Sequence, residues 1–251
     1  MLGVATLFSA AAGAGMIPVG YTCTGNCGTD GSDGSITLSP IGSSQYEWIS
    51  TNGGTLGVGV LPTGALGSET DGSTLATPVF SANAGTSLNF YFNFVTSDGA
   101  GFADYAWAEL FSSTGSPVAL LFTARTVASG SIVPGTGMPA PLATLNPTSV
   151  PIIGGAPTWS PLGGSSDTCW SSGCGYTDWI DSNYTISNAG SYYLEIGVVN
   201  WGDESFDTGL AMDGVTVDGV SVGASTPEPA TLTLFGLGLG IAALARRRRR
   251  A

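Results

Sequence analysis

Residues 87–95 read Ser-Leu-Asn-Phe-Tyr-Phe-Asn-Phe-Val, which sets Leu88, Phe90, Phe92 and Phe94 on one side of an extended chain and Asn89, Tyr91 and Asn93 on the other. Alternation with a period of two marks a β-strand, because successive side chains leave a pleated backbone on opposite faces. One face is apolar and the other amphipathic, so the strand is expected to lay one side in a core. Residues 103–111, 118–124, 191–200 and 209–217 continue the pattern, and 74–80 and 46–49 carry it more weakly. Glycine-rich turns separate these runs, and no helical periodicity of comparable length occurs before residue 230. The expected fold is all-β, an antiparallel β-sandwich of jelly-roll type over residues 20–222 with a single sizeable core.

The strand pattern is interrupted at residues 134–183, which hold seven of the fourteen prolines. A loop of that length inside a compact domain is uncommon, and is often functional or an excursion over an open end of the sandwich. It contains Trp159, Trp170, Tyr176 and Trp179. Flat aromatic faces stack against sugar rings while neighbouring Asn, Asp and Ser bond the hydroxyls, which makes these four candidate glycan-binding residues. The competing reading is that they pin the insertion onto the sandwich, and the general burial of large aromatics favours it.

Four cysteines fall in two closely spaced pairs, Cys23 with Cys27 and Cys169 with Cys174. In an oxidising compartment the short loops point to local disulfides within each pair, the second fixing the turn that carries Trp170. A zinc site is the alternative for two such pairs, disfavoured by the spacings and by the absence of any imidazole.

The chain has six Lys and Arg residues against eighteen Asp and Glu, and no histidine. Up to residue 227, seventeen acidic groups face Arg125 alone, which leaves about −16 at neutral pH. Such a surface repels nucleic acid and anionic headgroups. With neither histidine nor lysine, the chain cannot build a Ser-His-Asp or Cys-His arrangement, a Schiff base, a phosphate-binding lysine or an imidazole metal cage. Carboxylate chemistry remains, since a glycosidase needs only two suitably separated acidic side chains. No motif singles out a pair, so the chain is read as non-enzymatic, with a carboxylate-dependent glycan hydrolase as the alternative.

Acidic residues cluster in loops beside the expected strand ends, Asp98 and Asp104 in one segment, Asp203, Glu204, Asp207 and Asp213 in another. Calcium prefers several oxygens at about 2.3–2.6 Å, from carboxylates and loop carbonyls. A structural Ca²⁺ held by Asp98 and Asp104, or by Asp203, Asp207 and Asp213, is one reading. The other is a solvated acidic surface with Asp capping turns, because no EF-hand spacing is present.

At the C-terminus, Pro227, Glu228 and Pro229 precede an uncharged stretch at 230–245, followed by Arg246, Arg247, Arg248, Arg249 and Arg250. An apolar run ended by arginines enters a bilayer and stops, with the guanidinium groups on the cytoplasmic side. Sixteen helical residues span roughly 24 Å, short of the ~30 Å hydrocarbon core unless the arginines snorkel. Gly236, Gly238 and Gly240 weaken that helix, which suits a temporary anchor; a permanent single span is the alternative. Near the N-terminus, residues 2–14 form a short apolar stretch whose Ala12-Gly13-Ala14 pattern suits signal peptidase, although no Lys or Arg precedes it. The organisation is therefore a signal segment at 1–19, the body at 20–222, a linker and motif at 223–229, a membrane helix at 230–245 and a cytoplasmic basic tail at 246–251.

This tripartite tail resembles the PEP-CTERM sorting signal of Gram-negative bacteria, in which a Pro-Glu-Pro motif, a short membrane helix and a basic cluster occur together. The resemblance implies an exported protein, handed to an exosortase at the inner membrane and delivered to the cell surface or extracellular matrix. Within the body, residues 95–106 (VTSDGAGFADYA) and 197–215 (GVVNWGDESFDTGLAMDGV) are similar to secreted PEP-CTERM proteins whose ectodomain ends in a Gly-Leu-Ala-Phe-Asp-Gly strand. Met212 stands here for the aromatic residue of that strand. The likeness implies a surface module and no particular reaction. The expected task of the body is to bind or structure surface polysaccharide, with exopolysaccharide as partner and no role for nucleic acid.

Overall fold

The computed structural model describes residues 15–223. Most of the expected signal segment, the Pro227-Glu228-Pro229 motif, the expected membrane helix and the arginine tail lie outside them. Among the described residues no helix is long and apolar enough to cross a membrane.

In chain order the first nine strands are β1 (Thr22–Thr24), β2 (Asn26–Asp30), β3 (Tyr46–Ser50), β4 (Thr55–Leu56), β5 (Glu69–Ala76), β6 (Phe80–Ala82), β7 (Ser87–Thr96), β8 (Tyr105–Ser112) and β9 (Pro117–Arg125). The next five are short: β10 (Ser131–Val133), β11 (Thr144–Asn146), β12 (Val150–Pro151), β13 (Ile153–Gly154) and β14 (Gly175–Tyr176). The chain then returns to the main sheets with β15 (Ile180–Thr185), β16 (Gly190–Trp201), β17 (Thr208–Val217) and β18 (Val220–Ser221). One antiparallel sheet runs β1-β5-β16-β8-β9, with β4 and β6 alongside. The other runs β11-β15-β7-β17-β3-β2, with β14, β13 and β18 added at its margins. The pairings nest: β3 bonds β17, β5 bonds β16, β7 bonds β15, and β8 bonds β9.

Between the sheets lies the main core, to which β7 contributes Leu88, Phe90, Phe92 and Phe94, β8 Ala106, Ala108 and Leu110, and β16 Leu194, Ile196 and Val198. The rings of Phe92 and Phe122, from opposite sheets, meet with centroids 3.6 Å apart. Each such fully buried side chain stabilises the fold by about 1.5–3 kcal/mol relative to exposure. The alternation read at 87–95 therefore describes the strand that makes the centre of the sandwich.

The opposite strand faces are covered as well. On the β7 sheet, Tyr46, Trp48, Val95 and Ala211 pack against Trp159 and Leu162 of the insertion. On the β8 sheet, Tyr105, Trp107, Phe111 and Leu120 pack beneath Leu61, with Leu66 and Met138 at the margin. The amphipathic faces read from the sequence are thus partners for loops, and this body has two outer apolar clusters besides the core between the sheets.

Three further departures have physical causes. The run at 74–80 is divided between β5 and β6: Thr77 N–H still donates to the Leu194 carbonyl at 2.9 Å, but Leu194 N–H donates to the Thr77 hydroxyl instead of a carbonyl, and Pro78 has no N–H to donate. The insertion at 134–183 is not structureless: β11, β14 and a 3₁₀ turn at Ser160–Ser165 lie within it, and β15 begins before it ends. Residues 15–19, placed by sequence in the signal segment, are joined to the body, with Gly15 and Thr29 exchanging backbone hydrogen bonds at 2.8 and 3.1 Å and Ile17 packed against the core.

Candidate functional site

The four aromatics of the insertion separate into two groups. Trp159 is fully buried, its Nε1–H donating to the Tyr46 hydroxyl at 2.9 Å and its ring edge-on to Trp48 at 6.5 Å. A Cβ at Gly209 would lie 2.5 Å from its ring, so only glycine lets β17 pass beneath it. Tyr176 enters the β7 sheet opposite Val95, and Trp179 donates from Nε1 to the Thr37 carbonyl at 2.9 Å while packing edge-on to Tyr46. Trp159 is thereby corrected from candidate ligand contact to core residue, and Tyr176 and Trp179 also hold the insertion in place.

Trp170 differs, with 46 % of its surface exposed. Its N–H donates to the Ser97 carbonyl at 3.0 Å, and Ala100 N–H donates back to the Ser172 carbonyl at 2.9 Å. The Cys169–Cys174 disulfide closes the turn, and Cys23–Cys27 forms the second disulfide, so the cysteines pair locally. Hypothetical Cβ atoms at Gly99 and Gly101 would each come within 3.1 Å of the Trp170 ring, so the glycines let the indole lie against the 99–101 loop. Phe102 meets it edge-on at 5.0 Å and Phe206 lies at 6.5 Å. Phe206 has φ of 59°, a left-handed conformation that costs of order 1–3 kcal/mol in a bulky residue and holds only when its surroundings enforce it. Sequence reading missed Phe102 and Phe206; the available signal was an aromatic residue beside glycine or serine in each acidic loop.

The acidic residues converge only in part. Asp104 is fully buried, its two oxygens accepting from Trp201 N–H at 2.8 Å and from the Thr208 hydroxyl at 2.6 Å. Since Thr208 gives its proton to Asp104, the Thr96 hydroxyl, 2.7 Å away, donates to Thr208, and Thr96 in turn accepts from Asp98 N–H at 3.0 Å. A polar relay therefore links the two aspartates beneath the Trp170 loop. Asp98 is 1 % exposed; Oδ1 accepts from Gly99 N–H at 2.6 Å and Oδ2 has no partner. Burial, helped by the Asp203 charge, pushes its carboxyl up to about 7, and burial raises that of Asp104 further from its ordinary range.

Asp207 turns away to accept from Ser165 at 2.7 Å and Thr51 at 3.2 Å, tying the insertion to the β3 end. Asp213 lies elsewhere, accepting from the hydroxyls of Ser39 and Ser43 and raising the carboxyl of Glu47, which burial chiefly drives to about 7. Among the described residues no group of three or more His, Cys, Asp or Glu side chains is arranged to hold a metal ion. Asp98, Asp104, Asp203, Asp207 and Asp213, read from the sequence as calcium ligands, are not brought into one such group, and serine, threonine and backbone donors satisfy most of their oxygens.

One carboxyl pair does face across neighbouring strands. Glu109 of β8 stands directly opposite Glu195 of β16 on the outer face of the sheet. Glu109 is 2 % exposed, with one oxygen accepting from Thr63 at 3.1 Å and the other unpartnered. A groove of about 380 Å³ lies far from this pair in the chain, between β6 and the β17–β18 hairpin, lined by Pro78, Val79, Phe80, Val217 and Val220 with Asp218 as its one ionisable group.

These features belong to the body; the family evidence lies in the tail. Residues 225–250 match the family model of the PEP-CTERM protein-sorting motif. The chain carries a PEP-CTERM sorting motif. It is accordingly exported in a Gram-negative bacterium and processed by an exosortase at the membrane. The match covers about a tenth of the chain and stops short of the sandwich. A search of curated proteins finds no match to the chain.

Proposed function

We propose that the body of this protein is a carbohydrate-binding module, delivered by its tail to the cell surface or extracellular matrix, where it binds or structures surface polysaccharide. The observation that carries the reading is Trp170, half-exposed, seated on the Gly99–Gly101 loop and flanked by Phe102 and Phe206. An indole placed in this way presents apolar surface to the C–H groups of a sugar ring, while Ser171, Ser172 and Ser205 beside it are exposed and suit hydroxyl groups. The strands are read as a jelly roll: the nested pairs β3·β17, β5·β16, β7·β15 and β8·β9 alternate between the two sheets, as a folded-over hairpin wrapped around a core requires.

Glycan hydrolysis is the second reading, and Glu109 and Glu195 are the pair that would serve it. Glu109 lies sealed beneath Thr63, so a glycosidic bond has no approach to both groups, and this supports binding over hydrolysis. The test is retention of the full chain on insoluble polysaccharides. Trp170→Ala is expected to abolish retention and Glu109→Gln to leave it intact; equal retention of the Trp170 variant would sink the proposal. For sorting, intact mass of surface-extracted protein is expected to lack Arg246, Arg247, Arg248, Arg249 and Arg250, whereas recovery of that C-terminus would mark a permanent anchor.

A further inference from the structure

Around the Trp170 platform the charge is of one sign. Asp98 is buried next to Gly99, on which the indole rests, half-buried Asp203 is near enough for its charge to act on Asp98, and Glu204 is exposed in the same loop as Asp203. The one basic side chain of the described body, Arg125, is held over the Trp201 ring at 5.1 Å, with Nε and Nη1 donating to the carbonyls of Ala103 and Thr136 at 3.2 and 3.3 Å. No free cation is therefore presented at the platform among the described residues.

Resting on the glycan-binding reading, we infer that the Trp170 site selects an amino-sugar glycan carrying free ammonium groups, with Asp203 and Glu204 contacting the ammonium and buried Asp98 supporting them. Two independent features point to this ligand chemistry. The exposed indole provides a face for a sugar ring and attracts a cation placed over it. Asp98 supplies the second: a carboxyl withdrawn from water with one oxygen lacking any partner, a state that costs free energy until positive charge or a donor is brought near. An ammonium at Asp203 reduces the repulsion between Asp203 and Asp98, which is one of the causes raising the Asp98 carboxyl. A uronate-bearing or sulfated glycan would instead meet Asp203, Glu204 and the acidic remainder of the body, with Arg125 already engaged. A neutral glycan gains the stacking contact but none of the charge complementarity.

The experiment is a tryptophan-fluorescence titration of the detergent-solubilised full chain with four probes: cellotetraose, a fully de-N-acetylated chitosan tetramer, an oligogalacturonate and tetralysine. The chitosan tetramer is expected to bind at least tenfold more tightly than cellotetraose, and the oligogalacturonate not at all. Asp203→Asn, a half-exposed position, is expected to remove most of that preference while leaving cellotetraose binding in place; Asp98→Asn should weaken the preference by a smaller factor. Trp170→Ala should abolish binding of both sugars. Equal affinity for the neutral and cationic tetramers, or a preference unchanged in Asp203→Asn, overturns the amino-sugar inference and leaves glycan binding standing. Absence of binding by either sugar, or chitosan binding that survives Trp170→Ala and is matched by tetralysine, overturns both.

Discussion

Trp159 and Trp170 come from the same insertion and have opposite surroundings, one fully buried against Tyr46 and Trp48, the other 46 % exposed on a glycine loop. The indoles are chemically identical, so the difference arises from what each lands on. Trp159 meets the broad outer face of the β7 sheet, where Gly209 clears room and Tyr46 accepts its N–H. Trp170 meets the loops at residues 97–102 and 206, where among the described residues it stays 46 % exposed. The first tryptophan holds the insertion in place; the second keeps nearly half its surface open to solvent. Asp104 and Asp203 repeat the contrast among carboxylates, one sealed and fully bonded, the other open at the rim.

That contrast is most open to challenge at Trp159. Trp159→Ala is expected to cost about 3–5 kcal/mol through loss of buried surface and the cavity left behind, lowering the melting temperature by on the order of 10 °C. A melt within a degree or two of the parent would show that the insertion is not anchored there.

The buried carboxyls give the next effect. Asp98, Asp104 and Glu47 are raised by burial, and Asp30, Glu109, Glu195, Asp207 and Asp213 share the direction. A carboxyl raised in the folded state keeps a proton that the unfolded chain releases near pH 4. Its contribution is therefore present below pH 4 and lost as pH rises through its folded value, about 7 for Asp98 and Glu47. Glu69, lowered by backbone and Tyr105 hydrogen bonds despite its burial, works in the other sense. Denaturant midpoints should fall from pH 4.5 to pH 7.5, and Asp104→Asn should flatten the slope; a midpoint that climbs over this range would refute the assignment of these groups as burial-raised.

A smaller loss is expected from opening the turn under Trp170. Cys169→Ser with Cys174→Ser removes a short-loop crosslink worth about 2 kcal/mol or less. Glycan affinity should drop more than stability, because backbone contacts at Ser97 and Ala100 would then hold the platform alone. A large loss of stability with affinity preserved would reverse the roles assigned to this turn. The smallest effect on the fold belongs to Trp170 itself: Trp170→Ala should change stability by no more than about 0.5 kcal/mol. A cost comparable to that of Trp159→Ala would erase the distinction between them.

What was legible in the chain was local. The side chains of Leu88, Phe90, Phe92 and Phe94 alternate over a few residues, and the two cysteine pairs close loops of a few residues, so neighbours along the sequence carry the information. The tail was legible for the same reason, its motif, apolar run and arginines being contiguous. β15 was not: its Ile-Asp-Ser-Asn-Tyr-Thr sequence is polar, and Ser182 is buried there because its hydroxyl donates to the Leu121 carbonyl at 3.2 Å, a partner 61 residues away. The same limit hid the site. By itself the sequence determined an acidic, exported, strand-built chain with an aromatic-rich insertion. Which strand face that insertion covers, which tryptophan it leaves open and which carboxylates meet beside it were decided by the tertiary structure, because each depends on groups brought together from distant segments whose packing no local pattern records.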